Sequence, residues 1–225
     1  MYYHGGFNAR NIHEFNNNYN GINTGDNTGG FYFTNDYAQA NSYAVESFKG
    51  KIEDKYYMLS KDKIKQIAKH IGAYSSNMVD VIDRFVEIYT NNKSTKDTIE
   101  VSLNIKNPII IDCDYKVMDH ELKSGICAFI RKLNYINSYA DDSYIDHGYE
   151  FFYNNKHFFF SKELLQEIEE NYSQEDYEEP DPDLIPNCLI LKNVNDNISE
   201  YMDYSFDVTI MFNPYDIEII NKGIN

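Results

Sequence analysis

The sequence predicts an α+β fold built as a single domain. Strand-like runs cluster at the two ends of the chain, at Tyr2–Tyr3 and Phe31–Phe33 and again from Asn187 onward. Stretches with apolar residues at helical spacing lie between them;. The length of 225 residues suits one domain spanning 1–225, with room for an insertion;. Helices between two strand-rich ends imply that the terminal strands meet in a mixed sheet.

Taken in order, residues 1–45 are rich in Gly, Asn and aromatics. Short aromatic runs sit between turn-formers, which reads as strands joined by long loops. Functional residues often lie on such loops. A helix is expected after Thr34 or Asn35 as cap, with Ala38, Ala40 and Ala44 as small helix-compatible residues;. Residues 61–73 place Ile64, Ile67, Ala68 and Ile71 on one helical face behind Ser60 as cap;. Residues 77–89 do the same with Val79, Val81, Ile82, Phe85 and Ile88. A polar loop over 91–97 leads into a strand at 98–105, where Ile99, Val101, Leu103 and Ile105 alternate with other residues;. A second short strand follows at 108–112.

Residues 115–185 read as an insertion. They hold a helix near 121–133 with Cys127 on its apolar face, an aromatic run at 151–160 and an acidic helix at 162–172. The tract 174–183 is low in apolar residues and high in charge, which suits a solvated loop;. Strands return at 187–194, 206–212 and 215–220.

Composition narrows the function. The formal charge is −16, so unaided attraction to a nucleic-acid backbone or an anionic membrane is not expected. Cys113, Cys127 and Cys188 are widely spaced, and no CxxC occurs. Neither a disulfide framework nor a zinc knuckle is expected, and a reducing compartment fits best. The six histidines are scattered without metal-ligand spacing, and no metal is expected;. The opening MYYHGGFNAR lacks a basic stretch followed by an apolar one;. No run of 18 apolar residues occurs;. The expected location is cytoplasmic, with delivery into a host cell by a specialised route left open. Neither GxxxxGK[ST] nor GxGxxG is present, which disfavours a Rossmann-type NAD enzyme;.

Three short motifs carry the chemistry. The chain opens Tyr2-Tyr3-His4-Gly5-Gly6. Gly30-Phe31-Tyr32-Phe33-Thr34 follows, and then Ala40-Asn41-Ser42-Tyr43-Ala44, with Tyr43 eleven residues after Tyr32. Near the end come Leu189-Ile190-Leu191-Lys192-Asn193-Val194-Asn195-Asp196, the apolar run 208–212, and Asn213-Pro214-Tyr215-Asp216-Ile217. Together these resemble the NAD-binding half of the ADP-ribosyltransferase superfamily, in the His-Tyr-Glu branch that includes the poly(ADP-ribose) polymerases, and its small phage and bacterial domains. The motifs cover about a third of the chain.

The resemblance implies split mixed and antiparallel sheets that pack to form an NAD cleft, with flanking helices. It implies transfer of ADP-ribose from NAD to a target protein, with release of nicotinamide. The context it suggests is a toxin, an effector or an anti-defence protein. Such a reaction passes through an oxocarbenium-like state, as glycoside hydrolysis does. Tyr32 and Tyr43 would clamp the pyridinium ring by stacking and cation–π attraction. Gly5 lets backbone groups approach the carboxamide, and His4 is the donor to a ribose hydroxyl. Arg10 would meet the pyrophosphate. Ala40 stands where the family has a Ser that helps bind the carboxamide. A late acid would steady the developing cation. Asp196 is the first candidate, with Glu200, Asp203 and Asp207 as competitors. A departure from Glu favours mono- over poly-ADP-ribosylation. A different class of function is also open: an acidic mimic of nucleic acid, or a partner-binding inhibitor, acting by occupancy.

Overall fold

The terminal aromatic and β-branched runs do pair with each other. The computed structural model describes residues 1–16, 30–92, 97–113, 127, 186–194 and 205–222. In chain order the elements are β1 (Tyr2–Gly5), β2 (Phe31–Thr34), α1 (Tyr37–Tyr57), α2 (Lys61–Ile71), α3 (Met78–Asn91), β3 (Thr98–Leu103), β4 (Ile109–Asp112), β5 (Cys188–Val194), β6 (Phe206–Met211) and β7 (Ile217–Lys222). The architecture is mixed α+β, as expected.

All seven strands join one sheet in the order β4-β5-β6-β2-β1-β3-β7. The described residues thus form one continuous sheet where two packed sheets were expected. β4 runs parallel to β5, and every other pair is antiparallel. The two motif strands, β1 and β2, lie side by side near its centre, with Tyr3 opposite Thr34.

Strand alternation sorts the side chains onto two faces. One face carries Phe31, Phe33, Ile99, Val101, Cys188 and Met211, all buried, and the 6–16 segment covers it with Ala9, Ile12 and Phe15. Each fully buried aliphatic or aromatic side chain of this kind contributes about 1.5–3 kcal/mol. Helix α1 packs on the other face. Ala40 and Ala44 are 1% exposed there, and their small size lets the helix axis approach the sheet.

Helix starts follow the sequence with one shift. Asp36, rather than Thr34 or Asn35, caps α1, and its carboxylate accepts from the Gln39 N–H at 3.0 Å. Thr34 remains in β2, and its hydroxyl accepts from the Asp36 N–H at 3.1 Å. An ionised oxygen at the N-terminus meets the unpaired amides and the helix dipole better than a hydroxyl does. Ser60 caps α2 as expected, and Asn77 caps α3. The strand expected from residue 215 begins at Ile217, because Pro214–Asp216 forms a 3-10 turn capped by Asn213.

Cys127 is helical and fully buried, in agreement with its expected core position. The rest of the expected insertion, with its other helix, aromatic run and acidic tract, lies outside the described residues.

Candidate functional site

His4 sits on β1, inside the ladder between β2 and β3. Its Nδ1 lies 2.9 Å from the Tyr32 carbonyl oxygen on β2. A carbonyl only accepts, so Nδ1 carries the proton and Nε2 is left as an acceptor. Phe15 contacts the ring edge-on at 5.4 Å, and Phe33 lies at 5.7 Å. Burial pushes the imidazole pKa below its ordinary value, and the bond to Tyr32 offsets part of that shift;. His4 is therefore a neutral imidazole with a defined tautomer.

Gly5 is required by packing. A Cβ at this position would overlap the Ala40 carbonyl of α1. The strand and helix touch backbone to backbone here, which only glycine allows. Gly6 continues the path, and its N–H donates to the Asp97 carbonyl at 3.1 Å.

Alternation places Tyr32 on the face opposite Phe31 and Phe33, the face on which Gly5 meets α1;. Tyr43 lies three residues beyond Ala40 on that same helix. Gly5, Tyr32 and Tyr43 therefore share the α1 side of the sheet. The His4 ring lies on the opposite side, against Phe33 and Phe15, and meets Tyr32 through the carbonyl.

Arg10 stands in a 3-10 turn, Ala9–Asn11, just after the Gly pair. Its Nε is 3.6 Å from Asp97 Oδ1. The other oxygen of Asp97 accepts from the Tyr89 hydroxyl at 2.8 Å. The Tyr89 ring stacks on Phe48 of α1, with centroids 4.2 Å apart and planes 9° from parallel. Burial, and then the bond to Asp97, push the Tyr89 hydroxyl pKa up. Asp97 is only 2% exposed, so the expected anion-binding arginine is held by a buried carboxylate. Sequence reasoning read 91–97 as a plain polar loop and missed both Asp97 and Tyr89. The available signal was an acid directly before an apolar strand.

Of the late acids, Asp196, Glu200 and Asp203 lie outside the described residues. Asp207 is on β6, where its Oδ1 accepts from the Asn193 N–H at 3.2 Å. Asn193 has a left-handed backbone, φ 52°, at the bulge in β5. Its side-chain amide donates to Asp112 at 3.0 Å. Asp207 therefore has a structural role at this bulge.

Comparisons with protein-family models, with curated proteins and with solved structures found no match.

A third residue that sequence reasoning passed over is Gln39. It is fully buried on α1, and neither its side-chain oxygen nor its nitrogen has a hydrogen-bond partner among the described residues. It lies beside Ala40 and one helical turn before Tyr43;. The cysteines offer no nucleophile in this region. Burial pushes the Cys188 thiol up to about 12, and burial also raises Cys113;. Among the described residues, no group of three or more His, Cys, Asp or Glu side chains is arranged to hold a metal ion. Among those residues, too, no helix is long and apolar enough to cross a membrane.

Proposed function

We propose that the chain is an NAD-dependent mono-ADP-ribosyltransferase that modifies a target protein and releases nicotinamide. The observation that carries this reading is the link between motifs 28 residues apart in sequence. His4 is fixed in one tautomer by the backbone of Tyr32, while Gly5 seats against the helix that carries Tyr43.

In this mechanism Tyr32 and Tyr43 hold the cationic nicotinamide ring, which binds best between electron-rich faces. His4 does not take the expected role of donor to the ribose, because its ring lies on the other face of the sheet and its Nδ1–H is spent on the Tyr32 carbonyl; its part is to position the Tyr32 strand;. The backbone at Gly5 approaches the carboxamide. As the glycosidic bond lengthens, positive charge grows on the ribose and a late carboxylate steadies it. Asp196 is the first candidate, with Glu200 and Asp203 next. Asp207 is less suited because the Asn193 N–H already occupies it. Arg10, held beside Asp97, is the residue proposed to meet the pyrophosphate.

The test is nicotinamide release from NAD by purified protein, with and without cell lysate, for the wild type, Tyr43→Ala, Asp196→Ala and Glu200→Ala. Release stimulated by lysate, lost in Tyr43→Ala and in one acid variant, supports a transferase and identifies its acid. Release that lysate does not stimulate supports NAD hydrolysis. No release and no NAD binding by folded protein removes the enzyme reading and favours action by occupancy.

A further inference from the structure

Charge is unevenly distributed along this acidic chain. Residues 49–69 contain seven lysines against three acids, Glu53, Asp54 and Asp62, in a protein of net charge −16. Lys61, Lys65 and Lys69 recur at every fourth position and form a row along one flank of α2, with about 6 Å of helix rise between neighbours. All three are exposed. Ile64 and Ala68 turn the other way and are buried with Val81 of α3, so the row points to solvent. Lys49 pairs with Glu46 at 3.7 Å. The other lysines of the segment form no ion pair among the described residues.

Apolar and aromatic side chains flank this row. Tyr57 and Met58, just before α2, are 74% and 83% exposed, and Tyr74, just after it, is 98% exposed. The Tyr56 hydroxyl donates to the Ser76 carbonyl at 2.9 Å, which draws the two flanking segments together. Exposed Tyr and Met at the edge of a charged face is a composition typical of protein interfaces.

We infer that the exposed face of α2, with Tyr57, Met58 and Tyr74, is a docking surface for an acidic protein partner. Charge complementarity selects the class. The rest of the molecule repels a carboxylate-rich surface and this face attracts it, so the field orients the partner before contact. A nucleic acid is a poorer match, because its uniformly charged backbone runs past this face and meets the repulsion of a chain of net charge −16, whereas a protein can confine its carboxylates to the docked patch;. On the reading given above, the partner is the acceptor protein. That identification rests on the transferase proposal, whereas the docking itself does not.

The experiment measures binding of a short fluorescent Glu- and Leu-rich peptide to the full chain by anisotropy, without NAD. The triple variant Lys61→Glu/Lys65→Glu/Lys69→Glu is compared with Lys106→Glu/Lys192→Glu/Lys222→Glu, which changes total charge equally at exposed positions elsewhere. The α2 triple should weaken binding about tenfold, and the control should change it about twofold or less. If the α2 triple does not fold, Lys65→Glu alone should cost about twofold. Equal losses in both triples, no binding by the wild type, or tighter binding of oligo(dT) or phosphatidylserine vesicles than of the peptide overturns the inference. Nicotinamide release is then measured with an acidic acceptor. The α2 triple should lose acceptor-stimulated release and keep acceptor-free release. If the wild type releases nothing while peptide binding follows the pattern above, the transferase reading fails and the docking surface stands.

Discussion

At the residue scale, the His-Gly pair carries two constraints of different kinds. Gly5 is set by sterics, since any side chain would meet the Ala40 carbonyl. Gly5→Ala should destabilise the fold by about 3 kcal/mol, the upper range for overpacking. A denaturant midpoint unchanged from wild type would contradict that contact. His4 is set by electrostatics. Burial depresses its pKa from the ordinary 6.5, so the unfolded chain takes up a proton at a higher pH than the native protein does. The stability associated with neutral His4 is therefore fully present above about pH 6.5 and is lost as pH falls below that value. An NMR titration of the His4 ring should have its midpoint below 6.5, and a midpoint above it would contradict the buried, singly protonated state. Gln39 shows the opposite situation, a buried amide with no partner among the described residues. Replacing such a group by an apolar one of similar shape is close to neutral or stabilising. Gln39→Met should leave the melting temperature unchanged or raise it, and a clear loss would reveal a partner for the amide.

At the element scale, α1 holds the region together. It meets β1 at Gly5, and the Phe48–Tyr89 stack joins it to α3. Tyr89 passes that restraint to Asp97, which also receives the Arg10 guanidinium. Removing the hydroxyl leaves one oxygen of a buried carboxylate unpaired. Tyr89→Phe should cost about 1–3 kcal/mol, measured by equilibrium unfolding. No change would mean that Arg10 alone satisfies Asp97. The elements themselves were largely legible in the sequence. Alternation announced β3, and the 64/67/68/71 pattern announced α2. Both depend on neighbours a few residues away. The caps were partly legible: Ser60 is the expected cap of α2, while α1 is capped by Asp36 where Thr34 or Asn35 was expected. Thr34 is held in β2 by its ladder with Val208, a residue far along the chain.

At the scale of the whole molecule, the sheet draws its strands from both termini, and β6 is the neighbour of β2. The charge of −16 adds self-repulsion across that compact body;. Raising ionic strength from about 0.01 M to about 0.15 M should therefore raise the melting temperature, because screening weakens repulsion over distances beyond about 8–10 Å. A fall would mean that attractive pairs dominate, although only Arg10–Asp97, Lys49–Glu46 and Arg84–Glu87 occur among the described residues.

The sequence by itself determined the class of fold, the kinds and most of the bounds of the elements, and the acidic character of the molecule. Those properties follow from local periodicity, turn chemistry and composition, which act over a few residues or simply add along the chain. Only the tertiary structure decided that β1 and β2 are adjacent, that His4 hydrogen-bonds the Tyr32 backbone, that Gly5 meets Ala40, and that Asp97 holds Arg10. Each of these depends on which distant segments the sheet and α1 bring within a few ångströms. That is a property of register and packing, and no local pattern in the chain encodes it.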